Sequence, residues 1–218
     1  MNKLIKRLML LAGCLLLGAC AAPVKYDYTA FKQSRPKSIV VLPPQNNSPD
    51  IRATYSVYST VTFPLAESGY YVFPVTLVDQ TFKQNGMMNP GEMHQAPINK
   101  IREIFGADAT LYIAIDQYGG SYKVVSSEVR VTAGAKLVDN RTGALLWEGK
   151  ATASDAEGQN SGGGGIVGML VTAVVKQMLS NIGDPGYRVG AITNARLLNA
   201  HPNNGILFGP RSPAYQTD

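Results

Sequence analysis

Ile39-Val40-Val41-Leu42 is a continuous apolar run closed by Pro43-Pro44. A run this short, apolar at both parities, reads as a strand covered on both faces. From residue 111 the pattern changes to period two. Leu111, Ile113 and Ile115 alternate with Tyr112, Ala114 and Asp116, and Val129, Val131, Ala133, Ala135 and Leu137 repeat the alternation. Such strands turn one face to a core and the other outward. Gly119-Gly120 reads as a turn. Asp139-Asn140-Arg141-Thr142-Gly143 reads as a hairpin loop, with glycine where positive φ is needed. Leu145, Trp147 and Gly149 begin the partner strand, with Trp147 as a core anchor. The pattern predicts an antiparallel meander over 109–154 with helices on one face.

Elsewhere the period moves toward 3.6. Ile98, Ile101, Ile104 and Phe105 form one apolar stripe behind Pro97, with Gly106 as a stop. Val75 to Asn85 reads as a helix with Leu77, Val78 and Phe82 inward, preceded by a strand at 70–73. Residues 50–67 read as a helix capped by Asp50 and stopped by Gly69, although 54–62 is rich in strand formers and Pro64 kinks it. Residues 45–50 and 87–95 read as loops. A glycine-rich loop at 156–165 leads into a helix over 166–182, which Asp184-Pro185-Gly186 breaks, and 189–198 reads as a further helix. The expected fold class is α/β: a mixed sheet with an antiparallel meander and helices packed on it.

The N-terminus changes the meaning of the composition. Lys3, Lys6 and Arg7 precede a short apolar run that ends in Leu17-Gly18-Ala19-Cys20. A basic start, a short apolar stretch and small residues make an export signal, too short for a spanning helix. The last four residues resemble the bacterial lipobox, which implies cleavage before Cys20 and a diacylglycerol on its sulfur. Cutting before Cys14 instead would strand Leu15-Leu16-Leu17 at the new end. Both cysteines lie in this segment, so the mature domain is expected to hold no disulfide or cysteine metal site. With three cations removed, the formal charge of +5 becomes (20 − 3) − 15 = +2. That balance argues against a nucleic-acid partner. By analogy with enteric lipoproteins, Ala21 in place of an aspartate favours the outer membrane over the inner one.

The organisation expected is therefore a signal at 1–19, a lipidated tether at 20–37, an α/β domain at 38–198, and a tail at 199–218 docking on the domain. Within the tether, Tyr26, Tyr28 and Phe31 belong either to a linker or to a strand that docks. In the tail, Ile206-Leu207-Phe208 is the segment expected to dock.

Candidate chemistry is sparse. Ser161 to Gly165 lacks the lysine of a phosphate loop. His94 and His201 are the two imidazoles, and no zinc or nucleophile-elbow motif surrounds them. The pairs Asp108 with Asp116, and Glu148 with Asp155, read as solvated turn and strand positions. No cofactor, metal or catalytic residue is expected. Tyr118 and Tyr122, taken to flank a turn, are the expected exposed aromatics and a candidate interaction surface. Gly164 and Gly168 lie four apart, a spacing that permits close helix approach to the core, to a partner or, conditionally, to a membrane.

Four segments carry a resemblance to a known family. They are Val41-Leu42-Pro43-Pro44-Gln45-Asn46-Asn47-Ser48, Pro64 through Val75, Phe105-Gly106-Ala107-Asp108-Ala109, and Leu145-Leu146-Trp147. In this order they resemble a proteobacterial family of outer-membrane lipoproteins of unknown function, which includes a meningococcal vaccine candidate. The resemblance implies a fold similar to the TolB N-terminal domain and to the periplasmic domain of the curli-secretion lipoprotein. It implies a homodimer, and as partners a curli-secretion-like lipoprotein and a second small lipoprotein. Only Cys20 carries over as a functional residue. The expected role is a non-enzymatic component of an envelope transport, secretion or assembly complex. The rival reading is a module that binds peptidoglycan, another glycan or a small ligand, signalled by a deep polar pocket lined by Tyr118, Tyr122 or the 45–50 loop.

Overall fold

A computed structural model describes residues 26–123, 126–158, 184–201 and 204–217, with the backbone only for 121–123 and 126–127. The sheet is mixed. Strand β1 (Ser38–Val41) lies between β3 (Tyr71–Val72) and β4 (Ala109–Lys123), parallel to both. Strand β5 (Ser126–Asp139) runs antiparallel to β4, and β6 (Leu145–Ser154) antiparallel to β5. A two-residue strand, β2 (Gln45–Asn46), pairs in parallel with β4 near Ala114 and Ile115. The α/β class and the meander agree with the sequence pattern.

The parallel strand β1 is covered on both faces, as its unbroken apolar run requires. Ile39 and Val41 enter a large core with Val57, Leu111, Leu137 and Trp147. Val40 and Leu42 enter a smaller one with Val78, Phe82, Met93 and Ile101. Each such side chain contributes about 1.5–3 kcal/mol on leaving water.

The hairpin between β4 and β5 differs from expectation. Gly119-Gly120 is not its turn: Gly119 pairs with Arg130 and Gly120 with Val129, and pairing runs on to Lys123 and Ser126. The register slips between Ile115 and Gln117, which leaves Asp116 as an extra residue. A bulge of this kind reverses which parity faces inward. Leu111, Ile113 and Ile115 face the core, and beyond the bulge it is Tyr118, opposite Val131, that does so. The loop at 139–143 is as expected, with Gly143 at φ 74°.

Trp147 explains Gly149. The two lie on the same face, two residues apart, and a Cβ at Gly149 would sit 2.4 Å from the indole Cζ2. Only glycine lets the ring lie along its own strand.

The helix expected over 50–67 is two short ones, α2 (Ala53–Tyr58) and α3 (Thr62–Glu67). Pro64 falls in the first turn of α3, where its missing N–H costs nothing. Helix α4 (Val75–Gln84) buries Val78 and Phe82, but Leu77 lies off that stripe and is half exposed. The expected loop at 87–95 contains a short helix, α5 (Pro90–Met93). Asn89 Oδ1 accepts from Glu92 N at 3.0 Å, and Met88 N donates to Glu92 Oε2 at 3.0 Å. Helix α6 (Ile98–Phe105) buries Ile101 fully, while Ile104 is exposed. Helix α7 (Pro185–Leu198) starts before the expected residue 189, because Asp184 caps it and Pro185 occupies its first turn. The helix expected over 166–182 lies outside the described residues.

The region read as a tether through residue 37 is in part built into the domain. Thr29–Ser34 forms a helix, α1, with Phe31 fully buried. Tyr28 donates its hydroxyl to Gly205 O at 2.5 Å, and Ser34 Oγ donates to Asp139. The aromatics at 26, 28 and 31 had no readable period because they dock through an irregular segment and one short helix. The tail also packs down. Ile206 and Leu207 are buried, Tyr70 donates its hydroxyl to Leu207 O, and Trp147 Nε1 donates to Asn204 O at 3.0 Å. At Gly69 (φ 95°) the tail passes so close that a Cβ would meet Ser212 N at 2.5 Å.

Candidate functional site

Helix α7 covers one face of the meander. The opposite face is open and concave, and its residues come from the outward positions of three paired strands. Tyr112, Lys136 and Glu148 form one row across β4, β5 and β6, and Ala114, Gly134 and Lys150 form the next. Gln45 of β2 and His94 and Gln95 after α5 wall the end near β1, enclosing an open groove of about 780 Å³. That is the size of many small-molecule sites.

The floor is small and the rim is charged. Lys150 Nζ lies 2.6 Å from Asp116 Oδ2, and Lys136 Nζ 3.9 Å from Glu148 Oε2. These pairs are largely exposed, so each contributes little to stability. The two cations and two carboxylates leave the groove with no net formal charge. His94 Nε2 is 2.9 Å from Pro43 O. A carbonyl only accepts, so Nε2 carries the proton. Burial pulls the His94 pKa below its usual value, against the opposing effect of that hydrogen bond. Its ring meets Tyr112 edge-on, with centroids 5.4 Å apart. Burial raises the Tyr112 hydroxyl above its usual pKa.

A second, shallower concavity of about 410 Å³ lies between 49–51 and 118–120. Asp50 there holds Arg52 through two contacts, at 2.7 and 3.0 Å, and Asp184 lies 3.5 Å from the same guanidinium.

The expected interaction residues fare differently. Tyr118 is not an exposed aromatic, being only 5% accessible. Its hydroxyl is 2.6 Å from Ser56 Oγ, and a Cβ at Gly186 of α7 would sit 2.8 Å from it. The bulge at Asp116 turned it inward, where it seats α7. Tyr122 pairs with Ser127 through its backbone. Cys20, Gly164 and Gly168 lie outside the described residues. The carboxylates do not meet in the pairs considered: Asp108 accepts from Lys37 N, Ser38 N and Ser38 Oγ, and Asp155 from Val129 N. Asp116 and Glu148, one from each pair, both line the groove. Among the described residues, no group of three or more histidines, cysteines or carboxylates is placed to hold a metal ion. Asp116, Glu148, His94 and the 45–50 loop stand out in the sequence, though not as one site, whereas Gly134, Lys136 and Lys150 do not. Their outward parity is visible in the alternation, but which residues share a row depends on register.

A family model described as "Putative lipoprotein GNA1162-like" matches residues 26–211. The chain belongs to the GNA1162-like family. The match takes in α1 and most of the tail, so both docked extensions belong to the family domain. The chain is 47% identical over 204 residues to the Neisseria meningitidis serogroup B protein "Putative lipoprotein NMB1124/NMB1162", covering 92% of this chain and 94% of that one. It resembles the crystal structure of lipoprotein GNA1162 from Neisseria meningitidis at 46% identity and a TM-score of 0.54, over 67% of this chain and 100% of that one. A more distant likeness is to the LpoB C-terminal domain from Escherichia coli, at 18% identity and a TM-score of 0.40, over 63% and 90%.

Proposed function

We propose that this GNA1162-like chain is an outer-membrane lipoprotein, anchored by acylated Cys20, and a non-enzymatic component of an envelope transport, secretion or assembly complex. The observation that carries the reading is the spacing between lipobox and domain. Leu17-Gly18-Ala19-Cys20 is separated from Tyr26 by five residues, and Tyr26 N already bonds Asn204 Oδ1 at 2.9 Å. Fully extended, that connection spans at most about 20 Å. The domain is thus held against the bilayer, where a subunit of a membrane-bound assembly has to sit. Several acyl chains make such attachment lasting. The proposed partners are a second copy, a curli-secretion-like lipoprotein and a small lipoprotein.

Two experiments test this. Cys20→Ser should leave the domain folded and release it from membranes, and full retention would remove the anchor. Crosslinking in intact cells with partner identification should recover envelope lipoproteins, and recovery of none would contradict the assembly role.

A further inference from the structure

We infer that the groove over Ala114 and Gly134 is a binding site for a neutral, hydroxyl-rich saccharide, a short stretch of glycan chain. The floor is the first reason. Ala114 lies opposite Gly134 across paired strands, so nothing larger than a methyl rises from it. A flat, partly apolar sugar ring can lie on such a surface. The rim is the second. Lysine ammonium groups only donate and carboxylates only accept, while Gln45 and Gln95 do both. A hydroxyl needs a donor and an acceptor side by side, and each of Lys150–Asp116 and Lys136–Glu148 offers both.

Charge is the third reason. Every lysine in the groove has a carboxylate beside it, so a phosphate or an acidic chain would meet repulsion wherever it met attraction. His94, kept neutral by burial, adds no cation. The fourth reason separates a glycan from a peptide. Extended peptides add to sheet edges through backbone hydrogen bonds, or seat side chains in apolar pockets. This groove is a sheet face whose three strands already pair with one another, so it offers no free backbone edge at β4, β5 and β6 over Ala114, Gly134 and Lys150. The site is independent of the assembly role, because Cys20 and the partners recovered by crosslinking report on that role separately.

The test is calorimetric titration of the full-length lipoprotein in detergent micelles with chitohexaose and with maltohexaose. Two variants accompany it, Gly134→Val and Lys150→Ala. A Cβ at Gly134 meets only Gly149 O, at 3.6 Å, which is an ordinary contact. Gly134→Val should therefore fold with an unchanged or higher Tm while covering the floor. Wild type is expected to bind at least one saccharide, and each variant to weaken that binding by about tenfold or more, equivalent to about 1.4 kcal/mol. Preference for chitohexaose would assign the site to N-acetylated glycan chains, and preference for maltohexaose to plain glucans. The inference is overturned if neither saccharide binds at millimolar concentration. It is equally overturned if both variants bind as wild type does, or if a charged peptide binds where the saccharides do not. Should Gly134→Val fail to fold, Lys150→Ala alone decides.

Discussion

Glycines 134 and 149 stand on adjacent strands of one sheet, one register position apart, and do opposite work. Gly149 is on the side covered by α7, and its missing side chain is filled by the Trp147 ring. Gly134 is on the open side, and its missing side chain leaves space. The same contrast runs through the whole sheet. At β1 both faces are core, and every residue of the apolar run is needed for packing. In the meander only one parity packs, and the other is left to small and charged residues that stability does not demand. Residue choice on that open face is therefore informative about function in a way that the core is not.

Substitutions should separate the two faces, beginning with the largest effect. Trp147→Ala empties the covered side and removes the bond to Asn204 O, at a cost of about 3–5 kcal/mol in denaturant unfolding. Gly149→Ala should cost about 1–3 kcal/mol, since its Cβ would overlap the indole, whereas Gly134→Ala should be neutral or stabilising by up to about 1 kcal/mol. Equal effects at the two glycines would erase the comparison. Asp139→Asn should cost about 1–3 kcal/mol at neutral pH. Burial pushes the Asp139 pKa up. The bonds from Ser34 Oγ, Thr142 N, Arg141 N and Thr142 Oγ1 together outweigh that and hold it below the usual carboxylate value. A depressed carboxylate stabilises above its unfolded pKa, about 3.9, and loses that contribution as pH falls through its folded value. The difference between wild type and Asp139→Asn should accordingly shrink only on strong acidification. His94 is a buried neutral base with a lowered pKa, so its contribution is present above about pH 6.5 and is lost as pH falls through the folded value. His94→Gln should flatten the stability profile between pH 7 and 5. Lys150→Ala, on the open rim, should change stability by less than about 1 kcal/mol.

The elements that the sequence made legible are those whose pattern is long or whose chemistry is local. The run at 39–42, the alternation from 111, the loop closed by Gly143 and the stripe at Ile101 all correspond to observed elements. Leu77 and Ile104 are exposed, against expectation, because a stripe of apolar residues is wider than the face that packs. Asn89-Pro90-Gly91-Glu92 carries a local capping signal for α5 within the expected loop. Tyr118 was not readable, because one extra residue at Asp116 inverts parity and nothing local announces it. Most of the groove was hidden for a related reason. Tyr112, Lys136 and Glu148 are 36 residues apart from first to last, and only register places them in a row.

If the open face is a binding surface and not merely an uncovered one, a ligand must perturb that face alone. Amide NMR of the micelle-bound full-length protein during titration with chitohexaose and maltohexaose tests this directly. The predicted result is saturable shifts, with at least one of the two, concentrated at Ala114, Gly134, Lys136 and Lys150, with Leu111, Leu137 and the α7 amides unmoved. Shifts scattered over the surface, shifts confined to the covered side, or none with either saccharide would contradict it.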